Sequence, residues 1–187
     1  MLESHKEIIK QRAVVADDWS VLRLEESEAP EGINVPDGKI IVPLAVWLAQ
    51  HEALAARAAG SVGVWIGPDE SADAIKGELE QFGVVAIDFP KFTDGRGYSI
   101  AYNVRKRIGY TGELRAIGDV LRDQLFSMHR VGFDAFAARP DRDIHDALKG
   151  LTVFSETYQA SVDQELPLYR RQVRDVRVES TDVGYGI

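Results

Sequence analysis

The chain has 187 residues, 45% of them apolar and 28% charged, a length that suits one well-packed domain. A formal charge of -8 and an isoelectric point near 5.0 argue against a protein that wraps nucleic acid, because phosphate binding needs clustered Lys and Arg. The absence of cysteine excludes disulfides, thiolate nucleophiles, Fe–S ligation and Cys-based zinc sites.

Residues 1–38 open with no apolar run suited to a signal peptide, and no stretch of the chain approaches the roughly 20 apolar residues that span a bilayer. A cytoplasmic protein with no membrane or nucleic-acid partner is the expectation. Two β-rich pieces, "RAVVADDW" and "SVLRL", suit a hairpin, and Pro30, Gly32, Pro36, Asp37 and Gly38 then form a turn-rich connector. This segment reads as an N-terminal appendage.

A βα rhythm occupies residues 39–158. "KIIV" is a short β-branched strand, Pro43 suits a helix start, and Leu44, Trp47, Leu48, His51, Leu54, Ala55 and Ala58 share one helical face before Gly60. "SVGVWIG" is a buried-strand run; Asp69 or Ser71 then caps a helix carrying Ala72, Ile75, Leu79 and Phe82. "VVAIDFP" leads to a helix with Ile100, Ala101, Val104 and Ile108, closed by Gly109. "ELRAIG" leads to one with Leu121, Leu125 and Met128, and "FDAFAA" to one with Ile144, Leu148, Leu151 and Tyr158. Residues 159–187 lose the rhythm and read as a polar tail, either solvated or a partner-binding arm, with Arg170, Arg171, Arg174 and Arg177 among acids.

Strands alternating with helices predict an α/β fold of four to five right-handed βα repeats on a mainly parallel sheet. A complete eight-stranded βα barrel needs at least ~200 residues. The expectation is therefore an open sheet or half of a TIM-like barrel, the latter completed by a second copy in a homodimer.

Ligands of such folds collect at the carboxyl ends of the strands. There "KFTDGRGYSIA" places Arg96 between Gly95 and Gly97 at a helix start, an arrangement that suits an anion; the other reading is that Asp94 caps the helix and pairs with Arg96. Ile100 stands where a dinucleotide fingerprint needs its third glycine, and there is no G-K-[ST], so no nucleotide cofactor is evident. In "GDVLRDQ", Asp119 suits a helix cap and Arg122 projects one turn later toward the same rim; Arg139 follows the last strand. Arg96, Gly97, Arg122 and Arg139 are thus the candidate anion-binding residues. Asp94, Asp119 and Asp123 are candidate catalytic carboxylates if they converge with perturbed pKa values. His5, His51, His129 and His145 are scattered without metal-ligand spacing, and acids in "DRDIHD" suit a helix start, so no metal site is expected.

The blocks "FPKFTDGRGYSIA", "GYTGELRAIGDVLRDQL", "HRVGFDAFAARPD" and "FSETYQ" resemble the DUF934 family of bacterial proteins, over roughly residues 40–170. The resemblance implies a setting among assimilatory sulfite and sulfate reduction genes, and some similar proteins carry an oxidoreductase label, although no catalytic residue is assigned. Two functions follow as expectations. One is an accessory protein of sulfite or sulfate reduction that binds sulfite reductase, or a small oxyanion, at the strand-end rim. The other is a small enzyme acting by acid–base chemistry on a carboxylated or phosphorylated metabolite.

Overall fold

A computed structural model describes residues 1–25 and 27–171 of the chain; Arg174 and Arg177 of the expected tail lie outside the described residues. Nine strands form one sheet. They are β1 (Leu2–Ser4), β2 (Glu7–Lys10), β3 (Ala13–Ala16), β4 (Ser20–Leu22), β5 (Ile40–Pro43), β6 (Val62–Ile66), β7 (Phe82–Phe89), β8 (Glu113–Gly118) and β9 (Ala135–Phe136). The sheet order is β1-β4-β5-β6-β7-β8-β9-β2-β3, with β4 to β9 consecutive and parallel and the flanking pairs antiparallel. Consecutive parallel order puts right-handed crossovers on one face, so the sheet curls into a half-barrel.

The first 22 residues are woven into the sheet rather than appended to it. Leu2 lies opposite Leu22 and Ser4 opposite Ser20, while Glu7 lies opposite Ala16 and Lys10 opposite Ala13. Both pairs belong to one long hairpin, with His5 and Lys6 facing the three residues Asp17, Asp18 and Trp19 across a bulge. "RAVVADDW" therefore pairs with the preceding "EIIK", and "SVLRL" with the chain start. The turn residues Gln11 and Arg12 have φ of 48° and 65°, which gives the hairpin a type I′ turn. One half of the hairpin pairs with β5 and the other with β9, so it spans the open side of the half-barrel within a single chain.

The repeat is less regular than its apolar pattern predicts. The first helix is broken at Gln50 into α1 (Leu44–Ala49) and α2 (His51–Ala55), and the Gln50 side chain donates to the carbonyls of Pro30 and Ile33. No α-helix follows β6: the segment forms 3-10 turns at Ala72–Ile75 and Leu79–Gln81 with Gly77 between them, and Phe82 begins β7. The third crossover is α3 (Arg96–Asn103), widened into a π turn at Val104–Ile108 and ended by Gly109 at φ 84°. Then come α4 (Leu125–Arg130) and α5 (Ile144–Leu148); a 3-10 turn at Lys149–Thr152 stops α5 well short of Tyr158, and α6 (Leu168–Arg171) ends the described chain. No helix among the described residues is long and apolar enough to cross a membrane.

The helices bury the outer face of the sheet around Trp47, Phe89, Leu114, Met128 and Phe133. The inner face carries a second apolar cluster of small and β-branched residues: Ile8, Val21, Ile41, Val84, Ala86, Ile117, Ala135 and Ala137, with Trp19 packed among them. At its lower end a charged chain crosses the lumen. Arg115 donates to Glu113 at 2.7 Å and to both Asp17 carboxylate oxygens at 2.9 and 3.1 Å, and Lys10 holds the other Glu113 oxygen at 2.6 Å.

Candidate functional site

The loops after β7 and β8 do converge. The Phe92 amide donates to Asp119 Oδ2 at 2.9 Å, and Gln124 Nε2 donates to the Phe92 carbonyl at 3.1 Å. The rim these loops form holds the residues predicted from the sequence, but its three arginines are already paired with carboxylates.

Arg96 grips Asp94 through two parallel bonds of 3.0 and 2.7 Å, and its free Nη1 reaches Asp69. Asp94 also accepts from the Arg96 amide at 3.1 Å. These bonds hold the Asp94 carboxyl down at about 2 and raise Arg96 above its ordinary value. The capping-and-pairing arrangement is the one present, and Arg96 has two carboxylates of its own where an anion was expected. Gly97 is buried and serves packing: a Cβ there would stand 2.6 Å from Cζ of Phe89.

Arg139 bonds Asp119 at 3.0 Å and Asp141 at 2.8 and 2.6 Å, and both carboxyls fall below their ordinary value chiefly through these bonds. Arg122 holds Asp146 at 3.0 and 3.1 Å, with Lys149 on the same carboxylate. Asp94 and Asp119 therefore do not share a proton: each answers to a different arginine. Arg96 and Arg122 likewise hold separate partners. Asp123 is exposed and makes no ion pair among the described residues.

Two concavities meet at Arg122 and Asp123. A cleft of about 610 Å³ runs between them and Asp141, Arg142, Asp143 and Asp146. A groove of about 410 Å³ continues along Phe126, Ser127, Val153 and Phe154. Phe126 and Phe154 pack with their rings tilted and centroids 4.9 Å apart, yet Phe154 remains 61% exposed and Val153 57%. The sequence pattern treats this stretch as the continuation of a helix and so misses the groove.

A second group escapes the sequence reading. Asp88, on the inner face at the carboxyl end of β7, lies 2.8 Å from Arg23 Nη1, just beyond β4. Three strand spacings separate β4 from β7, about 14 Å on a flat sheet, so this contact exists only because the sheet curls. Arg23 also donates to Glu3 at 3.0 Å and lies 5.1 Å from the Trp65 ring. Burial raises the Asp88 carboxyl above its ordinary value, with Arg23 opposing. The available signal was a lone acid inside the apolar run "VVAIDF", and for Arg115 a cation inside the strand run "ELRAIG".

A family model described as "Bacterial protein of unknown function (DUF934)" matches residues 63–169. The chain belongs to the DUF934 family. No curated protein matches it. The DUF934 match runs from β6 to α6 and so takes in Asp88, Trp65, Asp123 and the Phe126–Phe154 groove, whereas the hairpin residues Glu3 and Arg23 precede it.

Proposed function

We propose that this DUF934 protein is an accessory component of assimilatory sulfite or sulfate reduction, docking on the reductase through the strand-end rim. The observation that carries the docking is the apolar groove of Phe126, Val153 and Phe154 opening beside Asp123, whose carboxylate makes no ion pair among the described residues. Exposed aromatics beside a polar rim are the anatomy of a protein-binding patch. The setting in sulfur reduction comes from the proteins this chain resembles. A small oxyanion at the rim is less well supported, because Arg96, Arg122 and Arg139 hold carboxylates that these bonds keep below their ordinary range, so protonation does not release the arginines near neutral pH. The acid–base alternative on Asp94 and Asp119 is weakened in the same way, since arginines keep both ionised at neutral pH.

Co-purification of the full chain with sulfite reductase, followed by titration of the two purified proteins, tests the proposal. A saturable complex that Phe154→Asp weakens at least tenfold, with the melting temperature unchanged, is the expected result. Failure of the purified proteins to associate at micromolar concentrations overturns it.

A further inference from the structure

The carboxyl-end mouth of a βα barrel is where ligands meet inward-facing side chains. In this chain the mouth is built by two parts of the sequence that local pattern does not connect: Asp88 and Trp65 from the parallel strands, Arg23 and Glu3 from the hairpin. Asp88 is 8% exposed, and beneath it lie the apolar side chains of Ala86, Ile117 and Ala137. Its Oδ1 meets Arg23 through the single nitrogen Nη1 at 2.8 Å and not through a closed fork. Burial disfavours the charged carboxylate, and that cost vanishes when the group takes a proton.

We propose that the barrel mouth binds a small carboxylate or tetrahedral oxyanion, which pairs with the Arg23 guanidinium while Asp88 accepts a proton from solvent. The guanidinium offers a planar fork of donors suited to either anion, and the Trp65 face holds it in place. For a monoanion such as acetate the charge in the mouth is conserved, since one anion enters and one carboxylate is neutralised; a dianion such as sulfate leaves one further negative charge. The raised Asp88 carboxyl fits this role, and the charged groups around it are few. Arg23 and Glu3 act on it directly; His5 lies beside Glu3 at 4.0 Å, the Met1 amino group is on the Arg23 carbonyl, and from β6 come Trp65 and, just beyond the strand, Glu70 on the Gly67 amide. Glu3 stays as the counter-charge that keeps Arg23 oriented. This site is independent of the docking rim, and either can fail without the other.

The test is thermal shift and calorimetric titration of the full chain with sodium acetate, inorganic phosphate and sodium sulfate, at about pH 5.5 and about pH 8. Binding should be tighter at the lower pH, by about tenfold for each unit above the Asp88 midpoint, because one proton is taken up with the anion. Asp88→Asn removes the competing charge with little change of shape and should bind acetate and sulfate, whose own charge hardly changes over this interval, equally well at both pH values. Arg23→Lys should weaken binding in both backgrounds. Acetate against phosphate and sulfate tells which anion class the mouth prefers. Should a variant fold poorly, the Asp88 carboxyl ¹³C resonance of the unmutated chain, moving toward its protonated position as phosphate is added near neutrality, reads the same exchange. Absence of binding in Asp88→Asn, a pH slope for acetate or sulfate that survives this substitution, or an Asp88 resonance indifferent to all three anions overturns the proposal.

Discussion

Replacing Arg115 with Met tests the charged chain that crosses the lumen. The Arg115 and Asp17 side chains are each 2% exposed, and Glu113 is 7% exposed. Arg115→Met fills much the same volume but leaves Asp17 without a cation, while Glu113 keeps Lys10 at 2.6 Å. Removing one partner of a buried pair costs about 3–5 kcal/mol, because the remaining charge stays desolvated and uncompensated. Against a total stability of about 5–15 kcal/mol, that is a large share. Urea unfolding followed by tryptophan fluorescence should show the midpoint falling by that equivalent with an unchanged slope. The double variant Arg115→Met with Asp17→Asn should be more stable than Arg115→Met alone, since the orphaned charge is gone. A loss below about 1 kcal/mol for Arg115→Met, or a double variant no better than the single, would refute the view that these charges are buried and mutually dependent.

Gly97→Ala should destabilise the fold by about 1–3 kcal/mol in the same assay, because its methyl group would press on the Phe89 ring between α3 and β7. The Asp94 carboxyl should titrate near 2 by ¹³C NMR and return toward the ordinary Asp range in Arg96→Ala. Because its folded value lies below the unfolded one, the Asp94 contribution to stability is present above the ordinary carboxylate range and lost as pH falls toward about 2. Asp88 and Asp134 have raised values through burial, so ionisation of either opposes folding, and their part of the stability declines as pH rises through the folded midpoint. Gln11→Asn should gain up to about 1 kcal/mol in urea unfolding, because Asn tolerates the left-handed conformation that Gln11 occupies at φ 48°.

Much of the parallel half of the molecule was legible in the chain. "ELRAIG" is β8 residue for residue, and "VVAIDFP" lies almost wholly within β7; apolar runs bounded by glycine and proline have few alternatives to a buried strand. The delivery of loops to one edge followed from that alternation, and the Phe92–Asp119 and Gln124–Phe92 bonds bear it out. The helix expected after β6 and the extension expected after α5 gave way to 3-10 turns, at Ala72–Ile75 and Leu79–Gln81 around Gly77 and at Lys149–Thr152. The candidate arginines were found, but not their partners. Arg96 with Asp94 was one of two readings open from the sequence, whereas its bond to Asp69 spans 27 positions.

The amino-acid sequence by itself determined the order of the elements, their class and the edge at which their loops gather, because periodicity and turn chemistry act over a few residues. Tertiary structure alone decided that the first 22 residues clasp the half-barrel, that Arg115 meets Asp17 across 98 positions, and that Arg23 reaches Asp88. Those pairings depend on how far the sheet curls and on which carboxylate each arginine finds inside it. Local pattern carries no record of either, since many distant partners would satisfy the same charge.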